Sequence, residues 1–212
     1  MSALPDPIDV RTRILHQATR LFATHGYAAT AIEEIAQAAG IKRPTLVYHF
    51  GSKPQLRDAV LGALMTHWRD ELPRLLAAAT TGSDRLRSGF MALVSFFRDD
   101  RHRARLLIRE MLDRPEEMTA LFKIHLHPLT ALVTDYIRQG QAEGRIRAAV
   151  DPEAFVVHLV NAVISTTALT ELPHLVAPAP DEERELAELF RIVRTSLFNE
   201  SIRGSRTPPT AP

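Results

Sequence analysis

Residues 41–53, IKRPTLVYHFGSK, place two adjacent cations, three hydroxyl side chains, an imidazole and a third cation within thirteen positions. Lys42 and Arg43 stand at the start of a short segment that Pro44 marks as helical, because a first-turn proline gives up an N–H that has no helical partner anyway. Thr45 and Tyr48 can hydrogen-bond base edges or phosphate oxygens, and His49 follows them. Ser52 and Lys53 open the next segment, where free backbone N–H groups and the helix dipole favour an anion. Thr30 has the same relation to the helix before. Nothing in the set has the spacing of a nucleophile with its base, a carboxylate pair or a phosphate-cradling glycine loop. The chemistry available is recognition of a polyanion.

That recognition needs scaffolding helices. Val10, Ile14, Ala18, Leu21 and Phe22 recur at helical spacing behind Asp9, which can cap the start, and ahead of Gly26. TAIE, from Thr30 to Glu33, has capping-box spacing for a second helix that Gly40 ends. A third begins near Lys42, turns Leu46 and Phe50 inward and stops at Gly51. Ser52 and Gln55 repeat the capping-box pattern for a long fourth helix carrying Leu56, Val60, Leu61 and Leu64 toward Leu72. Two short helices joined by a glycine turn, the second rich in cations and hydroxyls, form a helix-turn-helix, whose second helix enters the DNA major groove.

Beyond Pro73 the helical period persists, with no hairpin signal and no internal repeat. Leu86, Phe90, Leu93, Val94 and Phe97 make one stripe, and Leu107, Ile108, Met111 and Leu112 another. A long segment from Pro115 carries Met118 and Phe122, and Pro128 inside it predicts a kink. Asp151-Pro152 opens an apolar helix to about Leu169. LPHLVAPAP reads as a loop, Asp181 starts the last helix, and 204–212 has a composition too polar and proline-rich to order. The expected organisation is all-α: residues 1–54 a helix-turn-helix domain, 55–203 a ligand-binding and dimerisation bundle, 204–212 a tail.

Composition narrows the classes. The formal charge of the whole chain is only +1, but residues 1–54 hold six Lys/Arg against four Asp/Glu. With no cysteine, disulfides and thiolate metal sites are ruled out, and a reducing cytoplasm is the natural compartment. No apolar run approaches the roughly 20 residues of a membrane span. The arginine run RDDRHRARLLIRE at 98–110 is interleaved with carboxylates and reads as a solvated helix face. His125 and His127, two apart, point to different helix faces, so no metal is expected.

Residues 10–64, which contain ILHQATRLFATHGYAATAIEEIAQAAGIKRPTLVYHFGSKPQL, resemble the DNA-binding domain of the TetR family of bacterial transcriptional repressors. The resemblance implies an all-helical fold whose first three helices bind DNA, a remaining bundle that binds ligand and dimerises, and a small molecule that releases the operator. The family usually has an aromatic where this chain has Val47, and often a Ser or Thr where it has Lys42. The implied partners are a double-stranded operator, an effector and a second copy, with no cofactor. Phe90, Phe97, Met111, Met118, Phe122 and Phe155 lie on inward stripes and suit an apolar effector, with His125, His158 and Asn161 as polar contacts. His158, Asn161 and Ser165 share one helix face, which fits either a pocket wall or a dimer seam. The helices near 152–169 and 181–199 are the expected dimer surface, with Val160 and Phe190 as probes. The rival class is a helical enzyme, for which no catalytic constellation is present.

Overall fold

A computed structural model describes residues 7–78, 82–170 and 181–199. They form ten helices: α1 Pro7–His25, α2 Ile32–Ala38, α3 Arg43–Phe50, α4 Lys53–Ala78, α5 Gly82–Asp99, α6 Arg101–Asp113, α7 Pro115–His125, α8 His127–Ala142, α9 Pro152–Ala168 and α10 Glu182–Leu197. Among the described residues the only β pairing is an isolated bridge between Ile146 and Phe198. The LPHLVAPAP segment and the 204–212 tail fall outside the described residues.

The α1 stripe is buried along its whole length, with Ile14, Ala18 and Phe22 fully enclosed. It lies against α6, and Gly26 ends it at φ +85°, its N–H donating to the Phe22 carbonyl at 3.0 Å. A Cβ at Gly26 would meet Arg109 Nη1 of α6 at 2.9 Å, so glycine is needed there for both conformation and space. Pro7 starts this helix two residues ahead of the expected Asp9 cap.

One continuous core joins α1–α4 to α5, α6, α7, α9 and α10. A second, smaller cluster forms around Ile137, Ile146, Val156 and Leu197. The expected boundary at 54/55 falls in the first turn of α4, which therefore belongs to both halves. Asp100, Asp151 and Asp181 cap α6, α9 and α10 by accepting from His102, Ala154 and Arg184 N–H groups at 2.8–3.0 Å.

Three local expectations are corrected. Thr30 does not cap α2: Ala31 holds that position without a side-chain bond, and Thr30 is 1% exposed, donating to the Gly26 carbonyl at 2.8 Å. The carbonyls left open at the end of α1 capture the hydroxyl before α2 can use it. Pro128 does not kink a long helix but starts α8, after Leu126 has ended α7. Pro73 does not end α4, which continues to Ala78. Proline removes one hydrogen bond, to the Arg69 carbonyl, and both residues are exposed where water can serve it. No described helix is long and apolar enough to cross a membrane.

Candidate nucleic-acid interface and ligand cavity

Helix α3 is anchored by two residues and open along the rest. Leu46 and Phe50 are buried, while Lys42, Arg43, Pro44, Thr45 and Tyr48 are exposed, Tyr48 by 87%. Lys42 takes the extended conformation just ahead of the helix (φ −86°, ψ 151°), Pro44 fills the first turn, and Gly51 closes the end at φ 70°. His49 is half-buried, with its ring edge-on to Tyr48 at 5.5 Å. The outward face thus carries two cations, a hydroxyl and a phenol within two turns, a width that a major groove of about 12 Å admits. Arg43 is not loose: its Nε lies 2.9 Å from Oε1 of Glu33 on α2.

The other expected contacts are placed differently. Thr30 is enclosed and cannot present its hydroxyl to a phosphate. The half-buried Ser52 hydroxyl donates to Gln55 Oε1 at 3.0 Å and accepts from the Gln55 N–H at 3.4 Å. Lys53 Nζ donates to the Ala28 carbonyl at 3.2 Å and sits 4.4 Å over the Tyr27 ring. Burial, and then the Arg114 charge, hold its ammonium below the ordinary lysine range. Lys53 ties the α1–α2 turn to the start of α4.

Tyr27 also receives Arg114, with Cζ 4.3 Å from the ring centroid. One turn beyond Lys53, Arg57 is buried. Its Nε donates to Glu110 Oε2 at 2.7 Å, Nη2 lies 2.6 Å from the same oxygen, and Nη1 donates to Glu117 Oε2 at 2.6 Å. Glu110 is 1% exposed and also faces Arg114 Nη1 at 3.5 Å. Glu110 belongs to α6, Arg114 to the α6–α7 junction and Glu117 to α7. The first turn of α4 is therefore clamped to both helices. Sequence reading missed this cluster, since Arg57 lies 53 and 60 positions from its partners.

Those same helices wall an apolar cavity of about 440 Å³. Phe90, Phe97, Met111, Phe122, Phe155 and Asn161 line it, as expected from their stripes. Met118, His125 and His158 do not: Met118 is fully buried core, His125 is half-buried away from the cavity, and His158 is exposed on α9 together with Val157 and Ser165. Met65 and Trp68 of α4, Gly89 of α5, and Thr130 and Tyr136 of α8 also line it. Met65 and Trp68 continue the Leu61, Leu64 stripe, so their inward position was readable. Leu112, 77% exposed, stands at the rim. The volume falls within the range of small-molecule sites, about 300–1,000 Å³.

Residues 14–60, from α1 through the first turns of α4, match the family model described as "Bacterial regulatory proteins, tetR family". Over these residues the chain carries a TetR-family DNA-binding domain. Its helix-turn-helix is that family's DNA-binding unit, and its relatives are transcriptional regulators. The HTH-type transcriptional activator FasR of Mycolicibacterium smegmatis is 30% identical over 127 residues, 60% of this chain but only 58% of FasR, less than two thirds of that relative's length. The HTH-type transcriptional repressor AcnR of Corynebacterium efficiens is 28% identical over 196 residues, 90% of this chain and 94% of AcnR. The solved structure of the transcriptional regulator FadR from Bacillus subtilis in complex with stearoyl-CoA superposes with a TM-score of 0.69 over 87% of this chain and 98% of that one; at 14% identity the likeness is one of fold.

The clamp makes a defined energetic statement. Arg57→Met leaves the Glu110 carboxylate enclosed with only Arg114 nearby and is expected to lower stability by about 3–5 kcal/mol. Adding Glu110→Leu removes the stranded charge and is expected to restore most of that loss. Urea unfolding of the two variants and the wild type measures both, and equal instability of the single and double variants would show that the pair is not coupled.

Proposed function

We propose that this chain is a homodimeric, effector-responsive repressor that occupies a pseudo-palindromic operator and leaves it when a small apolar molecule fills the cavity. The observation that carries the reading is the apolar cavity whose wall includes Met65 and Trp68 of α4, the helix that begins beside the DNA-reading α3. In this reading Lys42, Arg43, Pro44, Thr45 and Tyr48 meet the major groove, with His49 at their edge. Lys53 positions the turn, and Ser52 fixes the start of α4. Two subunits set their α3 helices about 34–36 Å apart, one duplex turn, or a multiple of it. An effector packed on α4, α6 and α7 favours a different setting of the clamp, and hence of α3, by no more than its difference in affinity for the two states. Repression rather than activation is supported by AcnR, a named repressor similar along 90% of the chain. The apolar effector class is supported by the lining and by the stearoyl-CoA bound to FadR.

The test is selection of duplexes from a random pool by the purified chain, followed by titration of the best duplex with fatty acids, steroid ketones and polycyclic aromatics. Release by at least one apolar class is expected. Selection of an operator that none of them releases would remove the effector from the account.

A cavity differs from an ordinary core in what filling it does. A Cβ at Gly89, inside α5, would meet nothing within 4 Å. Gly89→Leu is expected to raise the melting temperature, since it relieves a mid-helix glycine worth roughly 0.5–1 kcal/mol and buries apolar surface. It should keep operator binding and lose the effector response. A lower melting temperature would mean the space is not there.

The dimer surface is expected on α9 and α10. Val160 and Phe190 are poor probes of it, because Val160 lines the cavity and the Phe190 ring packs 5.2 Å from Phe90. Val157 and Ile192 are 55% and 51% exposed and are the better choice. Val157→Asp with Ile192→Asp should give a folded monomer by sedimentation with weakened operator binding. A variant still dimeric at micromolar concentration would move the interface elsewhere.

A further inference from the structure

An acidic residue beside a DNA-reading helix needs a reason, because a carboxylate brought toward the duplex is repelled by its phosphates. Glu33 is such a residue. It lies in the first turn of α2, its side chain is 60% exposed, and its Oε1 lies 2.9 Å from Arg43 Nε, whose side chain is 63% exposed. The neighbouring Glu34 has a different partner, His25 on α1, at 3.2 Å. Glu33 therefore addresses the outward face of α3 while Glu34 addresses the scaffold.

Which nitrogen is held matters. A guanidinium gripped at Nε keeps Nη1 and Nη2 free, and these two form its far edge. Arg43 is also the first residue of α3, and the N-terminal residues of a recognition helix are the ones that reach base edges. Guanine alone presents two acceptors, O6 and N7, side by side in the major groove, and a two-donor arginine edge matches them. Adenine and cytosine place an amino donor there instead. As an exposed surface pair, Glu33 and Arg43 add little to folding stability. Their value is in restricting a long flexible side chain to one direction before DNA arrives.

We propose that Glu33 is a specificity-determining positioning residue, which holds Arg43 so that its Nη1 and Nη2 read one guanine in each half-site of the operator. The inference rests on α3 entering the major groove, the reading given above. Glu33 also subtracts affinity from non-specific DNA, since its charge opposes the backbone everywhere and is repaid only where Arg43 finds a guanine.

The experiment uses the full chain as wild type, Glu33→Ala, Arg43→Ala and the double variant. Duplex selection by the wild type comes first, then binding to the selected operator, to a copy with 7-deazaguanine at each guanine in turn, and to an unrelated duplex. Thermal unfolding of each variant should match the wild type. One guanine per half-site is expected to lose affinity by about 5- to 150-fold on losing its N7 acceptor, and Arg43→Ala should be indifferent to that change. Glu33→Ala should bind the unrelated duplex more tightly yet discriminate less at the same guanine, a split that a merely structural role would not produce. In the Arg43→Ala background, Glu33→Ala should leave base preference where it was. Unchanged guanine preference in Glu33→Ala overturns the proposal. So does an Arg43→Ala loss that is uniform over all duplexes with a shallower salt dependence, which marks a phosphate contact. A wild type that selects no sequence at all would instead defeat the groove reading on which the proposal stands.

Discussion

The Arg57 guanidinium and the Glu110 carboxylate meet in the interior, and α4 is tied to α6 at that point. Burying two ions sacrifices several kcal/mol of hydration each, which their attraction returns only when the remaining hydrogen-bonding groups are also served. Here Nη1 is served by Glu117 and the second Glu110 oxygen faces Arg114. An apolar pair of similar volume would hold α4 to α6 about as firmly. What an ion network adds is direction: three charged partners fix the first turn of α4 against α6 and α7 in one register, and Tyr27 carries that register to the α1–α2 turn through Arg114 and Lys53.

The cavity lies against these same helices. Leu107, Ile108 and Met111 line it from α6, Phe122 from α7, and Met65 and Trp68 from α4 two to three turns beyond Arg57. In the proposed mechanism a molecule filling that space packs on the helices that carry Arg57, Glu110 and Glu117. Close packing makes such an interior bistable rather than continuously yielding. In the proposed mechanism a small displacement of α6 or α7 is therefore felt at α3 as a change of setting.

Much of the reading face was legible because its signals are local. A first-turn proline, a glycine after Phe50 and inward Leu46 and Phe50 place Lys42 through Tyr48 outside with no knowledge of the rest. The capping aspartates at 151 and 181 were legible for the same reason. Failures came where a side chain had a second suitor. The Thr30 hydroxyl was claimed by the Leu21 and Gly26 carbonyls. Helical period places Met118 inward but does not say whether inward means core or cavity. His158 follows the stripe of α9 yet faces out, because an apolar helix that also meets solvent or a partner offers more than one interior. The Arg57 cluster was invisible, since charges at wide separation carry no pattern until the fold brings them together.

The central claim is that cavity and operator share one equilibrium, and linkage makes this measurable without knowing the natural effector. A fluorescent long-chain polyene fatty acid, titrated into the full chain with and without saturating operator duplex, reports the affinity of the cavity in both settings. The account predicts weaker probe binding in the presence of operator, by about 5- to 150-fold, and an equal weakening of operator binding by the probe. A probe that fills the cavity with the same affinity whether or not the operator is bound would contradict it.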